Sequence, residues 1–297
     1  VDACIAGAIN HDDTYAEETI DVGAVIAAPG FEPFDAGIRG EYGFGQYKNV
    51  VTSLQFERIL SASGPFVGHV QRISDGREPR KIAFIQCVGS RDTSCGNSWC
   101  SSVCCMYATK EAIIAKEHAK GLEPTIFYMD IRAHGKDFDR FVNRAKGEYG
   151  IRYVRAIPST IKELQQTKNL LMKYMKEDGT PVEEEFDMVV LSVGLTPPKE
   201  AAELAASLGV ELEEHGFCKT ALENPVQTSR DGVFVCGAFG GPKDIPETVM
   251  EASGAAACAE GLLSARRGTL ITEDKLPDET DLRGVGPRTG VFVCHCG

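Results

Sequence analysis

The chain has 297 residues, with 43 acidic against 31 basic side chains and 11 cysteines. Hydrophobic content of 43% and charged content of 25% suit a globular protein with ample core for two domains or one large one. A formal net charge of −12 argues against nucleic acid as the main partner, because phosphate recognition needs a basic face. No apolar run approaches the roughly 20 residues of a membrane span, and no secretory pattern opens the chain. A cytoplasmic location is expected. The sequence opens on Val1 and stops directly after Cys294-His295-Cys296-Gly297, so we read it as an excerpt of a longer chain.

Residues 21–30, DVGAVIAAPG, predict a buried strand entering a tight turn. Residues 52–60 predict a short helix capped by Thr52 or Ser53. The polar stretch 74–80, SDGREPR, is a candidate domain crossing. Residues 81–88, KIAFIQCV, predict a second buried strand. Residues 106–120 have helical periodicity, with Gly121 placed as a C-cap. Strands at 125–131 and 151–157 flank a helix at 136–149. Residues 169–186 read as a hairpin turning at Asp178-Gly179. Residues 187–194, DMVVLSVG, repeat the pattern of 21–30. A helix near 199–208, a strand at 232–237 and an Ala-rich helix at 246–264, opened by Pro246, follow. Residues 268–290 suit a linker, and a new strand, GVFVC, begins at 290.

Alternating strands and helices predict an α/β fold with parallel sheets. A strand–helix–strand–helix–strand unit at 81–157 is followed by a hairpin, and the chain then returns to a strand like its first. That order predicts one nucleotide-type domain inserted into another.

The cysteines are the unusual feature. Cys87, Cys95, Cys100, Cys104 and Cys105 lie within nineteen residues. A tight cluster in a sequence with no secretory signal reads as metal binding or redox chemistry rather than a disulfide framework. Cys87, Cys100, Cys104 and Cys105 form the candidate ligand set, because an iron–sulfur cluster needs four converging thiolates. Cys100 and Cys104 are four apart and would face one way on a helical turn. Three other readings stay open. One is structural zinc, although no Cys-x2-Cys knuckle occurs; the others are a vicinal Cys104–Cys105 disulfide and buried free thiols. Cys95 is surplus and could replace one of the four. Trp99 sits beside Cys100, where it could shield a cluster. No histidine pairing suggests catalysis: His11, His69, His118, His134 and His215 are scattered in polar contexts. No catalytic residue is singled out.

The strand 81–88 runs into Cys87-Val88-Gly89-Ser90-Arg91-Asp92 where a dinucleotide fold would carry its Gly-x-Gly-x-x-Gly turn. This argues against a bound nicotinamide cofactor. At 232–259 a strand ends in small residues before a helix N-terminus, an arrangement that offers free N–H groups and a positive dipole end to anionic oxygens. The strand ends Ala27-Ala28-Pro29-Gly30 and Ser192-Val193-Gly194 are read as the two crossings between domains. Cys4-Ile5-Ala6-Gly7 resembles the close of a ferredoxin motif, and Cys294 with Cys296 could belong to a further site.

FIQCVGSRD at 84–92, CSSVCCMYATKEA at 100–112 and GPKDIPETVMEAS at 241–253 closely resemble the A subunit of heterodisulfide reductase. The resemblance covers about residues 1–265. It implies a thioredoxin reductase-like two-domain flavoprotein, in which a degenerate nicotinamide-type domain is inserted into an FAD domain. The expected boundaries are 1–20 for the tail of an inserted ferredoxin-like domain, 21–78 for the first part of the FAD domain, 79–190 for the nicotinamide-type domain, 191–267 for the FAD return, and 268–297 for a linker and the start of a further domain. It further implies FAD and 4Fe–4S clusters, with Cys87, Cys100, Cys104 and Cys105 as ligands of the cluster beside the flavin. Ala28, Pro29, Gly30, Gly194, Gly237, Ala238 and the turn Lys243, Asp244, Ile245, Pro246, Glu247 and Thr248 are the implied FAD residues. Implied partners are disulfide-reductase-type subunits, ferredoxin, a hydrogenase- or dehydrogenase-type electron donor and a second copy of the chain. The implied activity is flavin-based electron bifurcation. Alternatives are a related component of a quinone-interacting complex in sulfate respiration and a zinc-stabilised scaffold. Three departures stand out. The first Gly-x-Gly-x-x-Gly is absent, Ala238 replaces the aspartate of thioredoxin reductases, and their Cys-x-x-Cys is missing.

Overall fold

The computed structural model describes Cys4, Ala6 and residues 8–294. In chain order its elements are β1 (Val25–Ala27), β2 (Glu32–Pro33), β3 (Val50–Thr52), α1 (Ser53–Leu60), β4 (Lys81–Val88), α2 (Cys104–His118), β5 (Glu123–Tyr128) and α3 (Phe138–Gly147). There follow β6 (Arg152–Arg155), β7 (Thr160–Glu163), β8 (Leu170–Met175), β9 (Pro181–Phe186), β10 (Met188–Val193), β11 (Leu195–Thr196), α4 (Ala201–Leu208), β12 (Val233–Val235) and α5 (Ile245–Leu263).

The larger unit is a five-stranded sheet in the order β3-β10-β4-β5-β6, with every neighbouring pair parallel. Both faces are covered, which is why β10 is buried along its whole length and reads as a continuous apolar run. On one face Ile82, Phe84, Met188 and Val190 pack with Phe56 and Ile59 of α1 and Ala108 and Ala112 of α2. On the other, Ala83, Ile85, Val189 and Leu191 pack with Leu170 and Met172 of the antiparallel sheet β7-β8-β9. The hairpin expected at 169–186 is β8–β9, and β7 adds a third strand.

The smaller unit is the parallel pair β1–β12, between α4 on one side and α5 on the other. The two units meet where β2 and β11 pair antiparallel, Pro33 opposite Leu195. Helix starts follow capping chemistry. Thr52 and Gln55 form a capping box on α1, and Asp244 and Glu247 form one on α5, with Pro246 in its first turn.

Four expectations are corrected. Helix α2 begins at Cys104 rather than 106, so two thiols occupy its first turn. Its cap is Ala119, whose N–H returns to the Ala115 carbonyl; Gly121 lies beyond it. Residues 290–294 form no strand and are exposed. Strand β10 and the pair β3–α1 belong to the five-stranded sheet, so the boundaries at 78 and 190 cut through one core. We propose that the inserted unit runs from about 49 to 194.

Glu111 of α2 is 2% exposed, and its Oε2 has no hydrogen-bond partner. Burial, then the neighbouring Glu57, raises its pKa well above the usual carboxylate range, against a smaller pull from Lys110. Between the unfolded and folded pKa values the native chain holds one proton more. Stability therefore falls as pH rises, by about 1.4 kcal/mol per unit for this group. Glu111→Gln removes that slope. Urea midpoints of the variant and the parent should lie close together near the unfolded carboxyl pKa, with the variant increasingly more stable towards neutrality.

Candidate functional site

The cysteine-rich region grows from the centre of the sheet. The β4–β10 register shifts after Ile85↔Leu191 and resumes at Val88↔Val193, so Gln86 and Cys87 stand opposite Ser192 alone. This is a β-bulge, a device that re-aims a side chain at the end of a strand. Cys87 carries the distortion, with φ of +60°.

Residues 89–103 then loop back over the strand ends, tied by polar contacts. Asn97 Nδ2 donates to the Gly89 carbonyl at 2.9 Å. The Ser101 N–H donates to Ser90 Oγ, and the Leu195 N–H to Ser101 Oγ, both at 2.9 Å. Gly194 is required by this closeness: a Cβ there would stand 2.7 Å from Ser101 Oγ and 2.9 Å from Ser90 Cβ.

The four candidate ligands gather around the N-terminus of α2. Cys104 is buried, with its Sγ 3.8 Å from the Val193 carbonyl. Cys105, also buried, lies 3.8 Å from the Asp130 carbonyl and accepts the Arg132 N–H at 3.4 Å. Cys100 accepts the Ser102 N–H at 3.4 Å. Cys100 precedes the helix, so it does not share a helical turn with Cys104 as the spacing suggested.

Burial, then the proximity of Cys105 and Cys100, pushes the Cys87 thiol up to about 12. Burial followed by Cys87 raises Cys104, and burial raises Cys105, with Cys100 adding to it. Cys95 instead donates to Asp92 Oδ2 at 3.5 Å and lies beside Arg39.

Among the described residues, no three His, Cys, Asp or Glu side chains are close enough to hold a single metal ion. A four-iron cluster asks for something different, one thiolate per iron spread around a cube. Three features fit such a group. The four thiols are near enough to perturb one another. The first turn of α2 has no side-chain cap, so the positive end of its dipole is open to negative charge. Two buried polar side chains beside the cysteines, Gln86 and Ser192, lack partners.

The second region lies at the β1 and β12 ends. Ala27 pairs with Val235, so Ala28-Pro29-Gly30 and Gly237-Ala238 leave the ends of the paired strands on the same side. Gly237 has φ of +71°, and a Cβ there would stand 3.2 Å from Thr248 Cγ2, which brings the N-terminus of α5 against this turn. Lys243 Nζ donates to the Gly237 carbonyl at 2.8 Å, and the Gly237 N–H donates to Glu251 Oε2 at 3.0 Å. Lys243 and Glu251 pair at 2.9 Å with side chains 9% and 11% exposed. Asp244 caps α5 through Glu247, while Ile245, Pro246 and Glu247 face outward. Gly194 is elsewhere, at the crossing, where its carbonyl accepts the Phe34 N–H at 2.9 Å.

Trp99 joins the regions. Its Nε1 donates to the Leu195 carbonyl at 3.1 Å, and its ring packs at a tilt against His215 at 4.7 Å and meets Phe217 edge-on at 5.6 Å. His215 is thus half-buried, unlike the other four histidines named above. Sequence reasoning missed Gln86, Ser192 and Glu251; a polar residue inside an apolar strand, and an acid inside an Ala-rich helix, were the available signals. The expected motif at Cys4 lies partly outside the described residues, as does that at Cys294 and Cys296.

The model of the pyridine nucleotide-disulphide oxidoreductase family matches residues 6–256. The chain belongs to this family. Within the pyridine nucleotide-disulphide oxidoreductases it is 45% identical, over 86% of its length, to the A-type iron-sulfur subunit of the CoB–CoM heterodisulfide reductase of Methanocaldococcus jannaschii, of which it covers 39%. It is 43% identical, over 87% of its length, to the A-type subunit of the H2:CoB–CoM heterodisulfide,ferredoxin reductase of Methanothermobacter marburgensis, covering 40% of it. With the A-type subunit of the ferredoxin:CoB–CoM heterodisulfide reductase of Methanosarcina mazei it shares 36% identity over 99% of the chain and 37% of the relative. The chain therefore spans about two fifths of the curated relatives it matches, and the resemblance read from its motifs is borne out. The crystal structure of T. acidophilum thioredoxin reductase matches with a TM-score of 0.51 at 18% identity, over 80% of this chain and 65% of that one. The thioredoxin reductase-like α/β fold is thereby shown. Among the described residues, no helix is long and apolar enough to cross a membrane.

The Lys243–Glu251 pair gives this oxidoreductase-family turn a stability test. Lys243→Met leaves a buried carboxylate unpaired and should cost about 3 kcal/mol in urea unfolding. The double variant with Glu251→Gln should recover part of that loss, read as a double-mutant cycle.

Proposed function

We propose that this chain is the FAD- and 4Fe–4S-carrying electron-transfer part of the A-type subunit of a heterodisulfide reductase-type complex. The observation that carries the reading is the gathering of Cys87, Cys100, Cys104 and Cys105 at an uncapped helix N-terminus, in a chain whose relative is named for an iron-sulfur role. When bound, FAD exchanges electrons singly or in pairs, and the cluster carries single electrons.

The chain's own residues have distinct tasks. The four cysteines anchor the cluster as thiolates, and the α2 dipole offsets their charge. Trp99 closes the loop against the smaller unit. Ala28, Pro29, Gly30, Gly237 and Ala238 let backbone approach the FAD. The segment Lys243–Thr248, at the start of α5, presents N–H groups and a positive end to its oxygens. Lys243 holds the Gly237 turn, and Gly194 allows the cysteine loop to close over the crossing. The partners we propose are disulfide-reducing subunits, ferredoxin, a hydrogenase- or dehydrogenase-type donor and a second copy of the chain, in an assembly that divides electron pairs between two acceptors. The family and fold support FAD, and the relatives' printed names support the complex.

Anaerobic purification with metal and flavin analysis tests the reading. The expected result is iron at about four atoms per cluster, bound FAD and a paramagnetic signal on reduction. Zinc without iron or flavin would overturn it. Cys104→Ser should lose iron and bleach the visible cluster band; an unchanged spectrum removes Cys104 as a ligand.

A further inference from the structure

Two buried polar side chains beside the cysteines have no partner among the protein atoms. Gln86 is 6% exposed, and both its Nε2 and Oε1 are unpartnered; Ser192 is fully buried, and its Oγ is unpartnered. A buried donor left unmade costs about 1–3 kcal/mol, so two together call for an acceptor.

Their place in the fold indicates which one. Ile85 and Val88 of β4, and Leu191 and Val193 of β10, all pack on the antiparallel-sheet side. Phe84 and Val190 pack on the helix side. By strand alternation Gln86 and Ser192 also face the helix side, opposite each other across the bulge. Gln86 directly precedes Cys87. Ser192 directly precedes Val193, whose carbonyl takes the Tyr107 hydroxyl at 2.8 Å and has Cys104 Sγ at 3.8 Å. The two orphan side chains therefore lie beneath the start of α2, between two of the candidate ligands.

We propose that the Gln86 amide and the Ser192 hydroxyl donate hydrogen bonds to sulfur atoms of the cluster and raise its reduction potential. The inference rests on the cluster reading above. Donors to sulfur stabilise the more negative, reduced state, and hydrogen bonding to sulfur is among the terms that set a cluster's potential.

The test is a redox titration of the cluster's paramagnetic signal in the anaerobically purified holoprotein, with iron content measured alongside. Ser192→Ala removes one oxygen from a packed site, and Ser192→Thr restores the hydroxyl. Gln86→Leu removes the amide at similar size. The expected result is full iron content with the reduction equilibrium about tenfold less favourable in Ser192→Ala and in Gln86→Leu, about 59 mV lower for one electron. Ser192→Thr should lie near the parent. Deuterium exchange should also remove a proton coupling from the parent signal that is weaker in both donor-less variants. If Gln86→Leu fails to load iron, Ser192→Ala decides alone. Iron-loaded variants with the parental potential overturn the inference. A parent without iron overturns the cluster reading itself, so the two failures are distinguishable.

Discussion

Four thiols held at the end of one buried strand are the constraint on which this structure turns. Neutral, a buried thiol is a small apolar group. Ionised, Cys87, Cys104 and Cys105 would each be short of water and beside other sulfurs, and burial above all pushes Cys87 up to about 12 and raises Cys104 and Cys105. At neutral pH the bare chain keeps these three protonated. Thiolates there require compensating positive charge, and the uncapped first turn of α2 supplies only part of it. A centre rich in iron charge would supply the rest, and metal binding at such a site releases protons. The surrounding scaffold serves the same requirement. The bulge turns Cys87, and Ser90, Asn97 and Ser101 fasten the loop that delivers Cys100.

The loop also sits where the two units join. Its serine Ser101 holds Leu195 of β11, and its Trp99 reaches the Leu195 carbonyl, His215 and Phe217. The β2–β11 pair and the Phe34–Gly194 bond lie alongside. A rotation of the smaller unit against the sheet would have to break these contacts in the very segment that carries Cys100. The geometry of the cysteine region and the relation between the units are therefore one problem.

Much of this was legible in residue order, and the exceptions have physical causes. The cap at Thr52, the Pro246 start of the Ala-rich helix, the buried strands at 81–88 and 187–194, and the Asp178-Gly179 hairpin are local signals, and they survive in the fold. The placement of β10 in the five-stranded sheet was not legible, because its apolar run ending in glycine looks like residues 21–30, although β10 is buried throughout and Ile26 of β1 is exposed. Strand β3 is three residues long and offers no period to read. The helical pairing of Cys100 with Cys104 failed because spacing of four implies one face only inside a helix, and α2 starts at Cys104. The orphan polar atoms could not be read at all, since satisfaction is a tertiary property.

The five-stranded sheet also brings the cysteines to the place where an open α/β fold would hold a ligand. In open α/β sheets a ligand binds in the crevice beyond the carboxyl ends of the strands, with its pyrophosphate over a glycine turn at a helix N-terminus. Here that crevice follows β4, and the helix is α2. Residues 89–103 fill the space between them with buried Ser90, Asn97 and Ser101. At Gly89, where a dinucleotide fold would leave room for a phosphate, a Cβ would meet the Phe34 ring. The first turn of α2, which would face the pyrophosphate, carries Cys104 and Cys105 instead. The helix terminus keeps its attraction for negative charge, but the chain has put sulfur in the place of phosphate. A thiolate-bound centre and a nicotinamide dinucleotide would compete for the same dipole and the same volume, and in this sequence the volume is already taken.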